Sequence, residues 1–316
     1  MRTAFIETLC EVAQRDERVW LICGDLGYSV LEVFAARFPG RFVNAGVAEQ
    51  NMTGLAAGLA LSGKTVFTYS IANFPVMRCL EQIRNDICYH KLNVKVVAVG
   101  GGYAYGGQGY THHGVEDLAV LRVMPNMTVL APADPVETRL ATRAVASWQG
   151  PCYLRLGRGG EPNLHNTIPA FKIGQALTLR DGTDLTVITT GAVLDIVLDA
   201  AEALSQRGVT VRVLSLPSLC PVDAPAIRSA ALHTGRILTV EEHGVGGLGS
   251  VVAELLAESG RGVRFKSLRL PREPAECAGS QAFLRTQQGL SRSGVLAAAH
   301  ALLATERALS WGEGDL

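Results

Sequence analysis

The chain has 316 residues, a hydrophobic fraction of 48%, and 29 basic against 29 acidic residues, so its formal net charge is zero. This length predicts about two domains, and the lack of a basic surplus argues against nucleic acid or an anionic membrane as a partner. The seven cysteines are dispersed without a C-x-x-C pair, which is typical of reduced thiols. Neither a secretory leader nor an apolar run of membrane-spanning length is recognisable, so the sequence predicts a cytoplasmic protein.

The first half of the chain alternates helical patterns with short apolar runs. A helical stripe predicts a first helix over 3–15, and "VWLIC" at 19–23 predicts a buried strand. Further strands are predicted at 41–45, 65–71, 94–99, 128–131 and 152–156, and further helices at 30–38, 49–62, 74–90 and 134–148. This alternation predicts a mostly parallel sheet with helices on both faces.

The second half repeats the pattern after a change in composition. Glycine, proline and asparagine become frequent near 157–175, and we assign residues 161–180 to a linker. Strands then follow at 185–190, 209–216, 236–242 and 263–268, with helices at 192–207, 223–232 and 248–259. The sequence therefore predicts two doubly wound α/β domains, at 1–160 and at 181–308, followed by a tail at 309–316.

Open α/β sheets bind ligands beyond the carboxyl ends of their strands, so the loops after residues 23, 45, 71 and 99 are candidate sites. One of these loops leads to Glu49, which begins an almost wholly apolar and small-residue helix. A carboxylate at a helix N-terminus is favoured by the free N–H groups and the helix dipole. Burial instead favours the neutral acid, which could donate a hydrogen bond to a heterocyclic nitrogen. The residues alone allow both roles.

The loop at 100–114, "GGGYAYGGQGYTHHG", contains seven glycines in fifteen residues. It has neither a G-x-G-x-x-G pattern at a strand–helix junction nor a Walker lysine, which argues against a nucleotide site. The pair His112-His113 closes this flexible loop, and two histidines there favour proton handling. Adjacent side chains seldom chelate one ion well, so no metal site is predicted.

Two further segments have more than one interpretation. Arg155 and Arg158 lie at the end of the strand predicted at 152–156, where an arginine either clamps a phosphate or carboxylate or is solvated or salt-bridged. The glycines and Ser250 in "TVEEHGVGGLGSVVAELL" either form an anion-binding turn before a helix or serve packing.

Taken together, the motifs resemble a known family. The ordered set is "GDLGYS", "FVNAGVAEQNMTGLAAGLALSGKTVF", "YTHHGVEDLAVLRVMPNMTVLAPADPVET", "GPCYLRLGRG" and "VEEHGVGGLGSVVAEL". Over about residues 3–305 this set resembles the C-terminal half of transketolase and of deoxyxylulose-phosphate synthases. The combination is specific, although no single piece is.

The resemblance implies that the first domain binds the aminopyrimidine ring of thiamine diphosphate. Glu49 matches the glutamate that hydrogen-bonds the ring nitrogen N1′ and so favours the imino tautomer that removes the C2 proton. Phe74 matches the aromatic residue that stacks on the ring, and Tyr69 is expected to wall the same pocket. Asp25 and Leu26 match positions that approach the cofactor across a boundary between subunits.

The resemblance also implies a substrate site. His112 matches the histidine that contacts substrate hydroxyls, and His113 and Gln108 are expected beside it. Arg158 matches the arginine that binds the substrate phosphate, and Ser29 matches a serine near that phosphate.

Two positions in the glycine-rich loop depart from the family pattern. Gln108 replaces an acid four residues before the histidine, and Gly100 stands where a second substrate histidine is usual. These departures predict altered recognition of substrate hydroxyls.

A further departure is the lack of the G-D-G…N segment, which in transketolase binds the diphosphate through Mg²⁺ or Ca²⁺. The resemblance therefore implies one subunit of a split transketolase, which transfers a two-carbon ketol unit between sugars or sugar phosphates. Its expected partner is an N-terminal-half subunit that holds the metal, in a heterotetramer of two copies of each.

Three alternatives remain. One is an acyloin-forming carboligase or decarboxylase that acts on a 2-oxo acid or a modified biosynthetic sugar. A second is the β subunit of a 2-oxo acid dehydrogenase, which has a different motif context around its glutamate. The third is a non-catalytic regulatory subunit. The donor, the acceptor and the pathway do not follow from the sequence.

Overall fold

The structure is a computed structural model that describes residues 1–304; the predicted tail at 309–316 and residues 305–308 lie outside the described part. Strands β1 to β12 are, in order, Val19–Cys23, Phe42–Asn44, Thr65–Ile71, Val94–Val99, Thr128–Leu130, Cys152–Leu156, Leu177–Arg180, Leu185–Thr190, Val211–Ser215, Ser218–Cys220, Arg236–Glu241 and Arg264–Leu268. Helices α1 to α12 are Arg2–Arg15, Glu32–Arg37, Glu49–Leu61, Phe74–Met77, Leu80–Gln82, Asp117–Arg122, Pro135–Ser147, Leu194–Ser205, Ala224–Thr234, Leu248–Glu258, Gln281–Gln287 and Arg292–Leu303. Within residues 1–304, no helix combines the length and the apolar character needed to cross a membrane.

The strands form two sheets. The first has seven strands in the order β10-β5-β6-β4-β3-β1-β2, and the second has five in the order β12-β11-β8-β9-β7. Neighbours are parallel except that β10 runs antiparallel to β5 and β7 runs antiparallel to β9. The predicted fold class, two α/β domains with mostly parallel sheets, is confirmed.

Strand β3, which lies between β4 and β1, shows how the first sheet separates two layers of core. On one face, the rings of Phe67 and Tyr69 pack against Phe5 of α1. On the other face, Met52 of α3 and Val76 of α4 belong to a separate apolar cluster. Because side chains alternate along a strand, each residue of β3 belongs to one face only. The face that carries α3 and α4 is the one that positions the candidate site.

The single helix predicted over 74–90 is wrong in detail. The segment consists of α4, α5 and a π-helical turn at Ile83–Cys88, and Cys79 between α4 and α5 has φ −118° and ψ 14°. The carbonyl of Arg78 accepts a hydrogen bond from the Gln50 side chain at 2.9 Å, so α3 supplies a partner at the break. Apolar periodicity is nearly the same for one helix and for short collinear pieces, so the pattern could not distinguish them.

Two strands and three helices were not predicted. Strand β7 lies in the segment assigned to the linker and pairs with β9, and β10 pairs with β5 of the first sheet. Helices α6, α11 and α12 were also missed. Strands of three or four residues are too short to show a period, and their pairing depends on partners distant in sequence.

The two domains meet around buried charges. Glu242, just after β11, accepts hydrogen bonds from the Tyr103 backbone N–H at 3.0 Å, from Gln281 at 2.9 Å and from Arg285 at 2.7 Å. Arg155 of β6 donates to the carbonyl of Glu242 at 3.0 Å. A buried ion pair is costly to break because the remaining charge has no partner. These bonds therefore hold the glycine-rich loop between the domains.

The glycines at 101 and 102 allow the loop backbone to lie directly on these charged side chains. A Cβ atom placed on Gly101 would lie 2.2 Å from Arg155 Nε, and one on Gly102 would lie 2.3 Å from Glu242 Cδ. Gly102 also has φ +65°, in the left-handed region that glycine tolerates best. The loop that was expected to be flexible is packed at this end.

His243 at the same interface is buried and neutral. Its Nε2 accepts the backbone N–H of Leu118 at 3.1 Å, and its Nδ1 donates to the carbonyl of Gly244 at 3.0 Å. Burial lowers the pKa of His243 to about 4. Below its ordinary pKa near 6.5 the unfolded chain therefore binds more protons than the folded chain.

This linkage predicts that the contribution of His243 to stability falls as the pH drops from about 6.5 towards about 4, while buried Glu241, whose pKa is raised to about 7, acts in the opposite direction. Between pH 7.5 and pH 5 the loss attributable to His243 is about 2 kcal/mol. Urea unfolding of the chain at both pH values measures it. His243→Gln should remove this component, whereas the exposed control His90→Gln should retain it. Equal pH dependence in all three proteins would show that His243 is not the responsible group.

The glycine packing predicts a second stability difference. Gly102→Ala should destabilise the chain by about 2–4 kcal/mol, because it strains the backbone and displaces a buried, paired carboxylate. Gly107→Ala in the same loop is the matched control, since a Cβ atom there meets nothing within 4 Å. Urea unfolding at pH 7.5 compares them. Equal stability of the two variants would contradict the packing argument.

Candidate functional site

Glu49 is the first residue of α3, and its side chain is only 3% exposed. A Cβ atom placed on Gly24, after β1, would lie 3.6 Å from Glu49 Cγ, so the carboxyl group lies at the carboxyl end of the sheet. The N-cap residue of α3 is Ala48, and Glu49 is the acidic residue of the first turn, where the helix dipole favours it. Among the described residues, its side-chain hydrogen-bond partner is Arg78, whose Nη1 lies 2.9 Å from Oε2. Glu49 thus combines a helix-start position with a buried ion pair.

Arg78 was not identified from the sequence. Its guanidinium carbon also lies 4.3 Å from the centroid of the Phe74 ring, which is cation–π distance. Its side chain remains half exposed. Arg78 lies at the break between α4 and α5, where its side chain reaches Glu49.

Phe74 and His112 lie beside this pair. Their ring centroids are 5.1 Å apart with the planes at 69°, an edge-to-face contact. The Asn73 side chain donates to the carbonyl of Thr111 at 3.0 Å, which ties the end of the glycine-rich loop to the start of α4. Glu49, Phe74 and His112, three residues singled out from sequence, thus lie in one contiguous region around Arg78.

His113 is buried between two tyrosines, with ring centroids 4.9 Å from Tyr103 and 6.2 Å from Tyr110. Among the described residues, neither of its ring nitrogens has a hydrogen-bond partner within 3.5 Å, and the Gly106 backbone is the polar group that approaches the ring. Burial lowers the pKa of His113, which favours the neutral ring. A buried polar group without a partner is unusual and points to a ligand or water that would satisfy it.

Two clefts meet at Arg78. One, of about 610 Å³, is bordered by Phe74, Arg78, Tyr110 and His113. The other, of about 470 Å³, is bordered by Ala48, Glu49, Gln50 and Arg78. The combination of a buried carboxyl group, an aromatic face and an unsatisfied histidine fits a flat nitrogen heterocycle such as an aminopyrimidine.

The loop after β1 holds three predicted residues in a separate group. Asp25 and Ser29 have φ +55° and +61°, conformations that cost on the order of 1–3 kcal/mol each in non-glycine residues. Asn44 donates to Asp25 Oδ1 at 2.9 Å, and Glu32 accepts the Ser29 N–H at 2.8 Å. Leu26 is half-buried against the core. None of the three borders either cleft at Arg78.

The expectation for Tyr69 is corrected by strand alternation. Its ring is fully buried and stacks on Phe5 at 6.0 Å, on the sheet face opposite α3 and α4. Burial raises the pKa of its hydroxyl, so the group stays neutral. Tyr69 therefore belongs to the core and does not wall the cleft with Glu49 and Phe74.

Arg158 and Gln108 are also apart from this group. Arg158 borders a separate groove of about 610 Å³ between the glycine-rich loop and residues 279–281. Its guanidinium carbon lies 5.0 Å from the centroid of the Tyr105 ring. Gln108 is exposed in a short turn and borders neither cleft at Arg78. The residues expected to bind the substrate phosphate and the substrate hydroxyls, Arg158 and Gln108, therefore do not lie together with Glu49 and Phe74.

The structure explains why residue 100 is glycine. A Cβ atom there would lie 2.1 Å from Cε2 of Tyr105, because that ring lies against the backbone. A histidine at this position would require Tyr105 to move.

In the two segments with more than one interpretation, Arg155 and the N-terminus of α10 are satisfied by groups of the chain itself. Arg155 is buried and pairs with Asp117 at 2.9 Å, so it is no ligand clamp. The N-terminus of α10 already holds the carboxylate of Glu241, which accepts the N–H groups of Leu248 and Gly249 at 2.7 Å. Burial raises the pKa of Glu241 to about 7. Within residues 1–304, no three His, Cys, Asp or Glu side chains are gathered as a metal site.

Comparison with known proteins identifies both domains of the chain. Residues 1–161 match the transketolase pyrimidine-binding domain, and residues 174–289 match the transketolase C-terminal domain. The chain is 44% identical over 267 residues to one subunit of the apulose-4-phosphate transketolase of Phocaeicola vulgatus, covering 84% of this chain and 86% of that protein. It is 37% identical to a 6-deoxy-6-sulfo-D-fructose transketolase subunit of a Clostridium species, covering 82% and 81%.

A solved structure described as a split gene transketolase, inactive beta4 tetramer, is similar along nearly the whole chain. It has 38% identity and a TM-score of 0.88, and the match covers 96% of this chain and 97% of that one. With both domains matched in order and relatives of this identity, the chain belongs to the transketolase family, of which it contains the pyrimidine-binding and C-terminal domains.

Proposed function

We propose that this chain is the pyrimidine-binding subunit of a two-component, thiamine-diphosphate-dependent transketolase that transfers a two-carbon ketol unit between sugar substrates. The observation that carries the proposal is that the buried carboxyl group of Glu49 and the aromatic face of Phe74 both contact Arg78, with the ring of His112 against Phe74. The relatives named as transketolase subunits support the two-component arrangement.

In this proposal each residue has a defined task. Glu49 holds the proton shared with N1′ of the aminopyrimidine, and its burial strengthens that hydrogen bond because water is excluded. Phe74 offers the ring an apolar face. His112 and His113 bind substrate hydroxyls. Thiamine diphosphate, when bound, supplies the nucleophilic carbon and the electron sink for the transferred unit.

The proposal requires a partner subunit that holds the diphosphate group through Mg²⁺ or Ca²⁺. Asp25, Leu26 and Ser29, apart from the cleft on their own loop, would then act at a boundary between subunits. An exposed apolar surface on and near α3 supports association: Leu61 is 70% exposed and Val47 is 73% exposed. Gly54 and Gly58 on the same helix have no neighbours within 4 Å of a placed Cβ atom. The proposed assembly is a heterotetramer of two copies of each subunit, in the cytoplasm.

A second candidate is favoured by one observation. Tyr105 occupies the space that a substrate histidine at residue 100 would need. The loss of that side chain favours a donor other than an ordinary sugar phosphate, such as a 2-oxo acid or a modified sugar in an acyloin-forming or decarboxylating reaction.

The Glu49 proposal predicts a loss of ketol transfer in Glu49→Gln of about 10²–10⁴-fold, because the amide cannot hold the shared proton. The assay mixes this chain with the partner subunit, thiamine diphosphate and Mg²⁺. Glu81→Gln, an exposed carboxylate on α5, is the matched control and should retain activity. Phe74→Ala should weaken cofactor binding measured by calorimetry. Full activity in Glu49→Gln would contradict the mechanism. If the assembly neither binds thiamine diphosphate nor depends on it for activity, a regulatory subunit would be favoured.

The choice of donor is tested by comparing ketose phosphates, free ketoses and pyruvate. We propose that the separate groove at Arg158 receives the phosphate of a phosphorylated donor, so Arg158→Gln should raise KM about 10- to 100-fold, the value of a charge-assisted hydrogen bond. The same variant should leave KM for the unphosphorylated donor unchanged. Turnover of pyruvate without ketol transfer would replace the leading proposal with the second candidate.

A further inference from the structure

Arg78 is the wall between the two clefts of the candidate site. Glu49 borders the cleft of about 470 Å³, and Phe74 and His113 border the cleft of about 610 Å³. Arg78 borders both. A ligand that touches Glu49 and Phe74 together must therefore occupy the space that the Arg78 side chain fills.

The guanidinium group makes the two contacts that such a ligand would make. Its Nη1 donates to Glu49 Oε2 at 2.9 Å, and its Cζ lies 4.3 Å from the centroid of the Phe74 ring. A guanidinium is flat, carries its donors in the plane and stacks on aromatic faces. An aminopyrimidine has the same flat shape, with polar edges and a face that stacks.

The backbone and the side chain of Arg78 are held differently. Gln50 donates to the Arg78 carbonyl at 2.9 Å, which anchors the backbone at the break between α4 and α5. The side chain is 50% exposed, whereas that of Glu49 is 3% exposed. The guanidinium can therefore rotate into solvent without disturbing the chain, and Glu49 stays in place.

We propose that Arg78 occupies the aminopyrimidine position until thiamine diphosphate binds, and that the cofactor must displace it. This inference rests on the proposed function. Without the cofactor, Arg78 neutralises a buried carboxylate that would otherwise have no partner. While the ion pair persists, the Arg78 guanidinium occupies Oε2 of Glu49, so a ring nitrogen can bond to this oxygen only after Arg78 leaves.

Displacement lowers the apparent affinity for the cofactor, since the binding-competent state is only a fraction of the population. Removing the guanidinium raises that fraction. Arg78→Gln should therefore bind thiamine diphosphate about tenfold more tightly than the wild type. Arg78→Lys keeps a charge for Glu49 but not the flat stack on Phe74, so its affinity should lie between the two.

The experiment measures the dissociation constant of thiamine diphosphate by calorimetry, using the complex of this chain with its partner subunit in Mg²⁺. The matched control is Arg84→Gln, an exposed arginine hydrogen-bonded to Asn85, which should bind as the wild type does. Tighter binding by Arg78→Gln alone supports the inference. Unchanged or weaker binding overturns it.

The two proposals fail in distinguishable ways. If wild type and variants all bind no thiamine diphosphate, the proposed function is overturned and this inference with it. If the wild type binds and Arg78→Gln does not bind more tightly, only the displacement is overturned. Should Arg78→Gln not assemble, Arg78→Lys provides the test, with an expected gain of about threefold.

Discussion

The close approach of the glycine-rich loop to two buried charged side chains is the contact on which the site depends. Gly101 lies against Arg155 and Gly102 against Glu242, and neither position has room for a Cβ atom. These charges belong to different domains, and each is satisfied by bonds that cross between the loop and both sheets. The far end of the loop carries His112 to Phe74. Packing between the domains thus sets the geometry of a site that lies within one of them.

Glu49 illustrates how a parallel sheet prepares a carboxyl group for chemistry. Its place at the start of α3 brings it to the carboxyl edge of the strands, where the backbone diverges and leaves room for a ligand. Burial there deprives it of water, and Arg78 compensates its charge. When the partner of a buried charge is removed, the charge is left uncompensated at a large cost in free energy, so a ligand that replaces the partner is bound in its place. The proposed function uses this property, because a bound heterocycle would take the place of Arg78 as the hydrogen-bond partner of Glu49.

Particular residues show how far the sequence reached. The strand "TVFTYSI" was predicted at its observed bounds, and Glu49 was placed at the start of its helix, because apolar runs and periodicity are local. Alternation along that same strand puts Tyr69 on the sheet face opposite α3 and α4, away from the cleft at Glu49. At the break beside Arg78, the Arg78 carbonyl accepts a hydrogen bond from the Gln50 side chain, 28 residues away. A local sequence pattern cannot show a bond over this separation.

The sequence by itself determined the fold class, the family and the grouping of Glu49, Phe74 and His112. Buried strands and ordered motifs can be recognised from residues that are close together along the chain. Only the tertiary structure decided that Arg78 separates two clefts, that Tyr105 fills the space over Gly100 and that Glu241 occupies the N-terminus of α10. Each of these depends on which side chains meet across the fold. These tertiary contacts are governed by close packing and by the need to pair every buried charge. Packing and charge pairing both involve residues that are far apart along the chain.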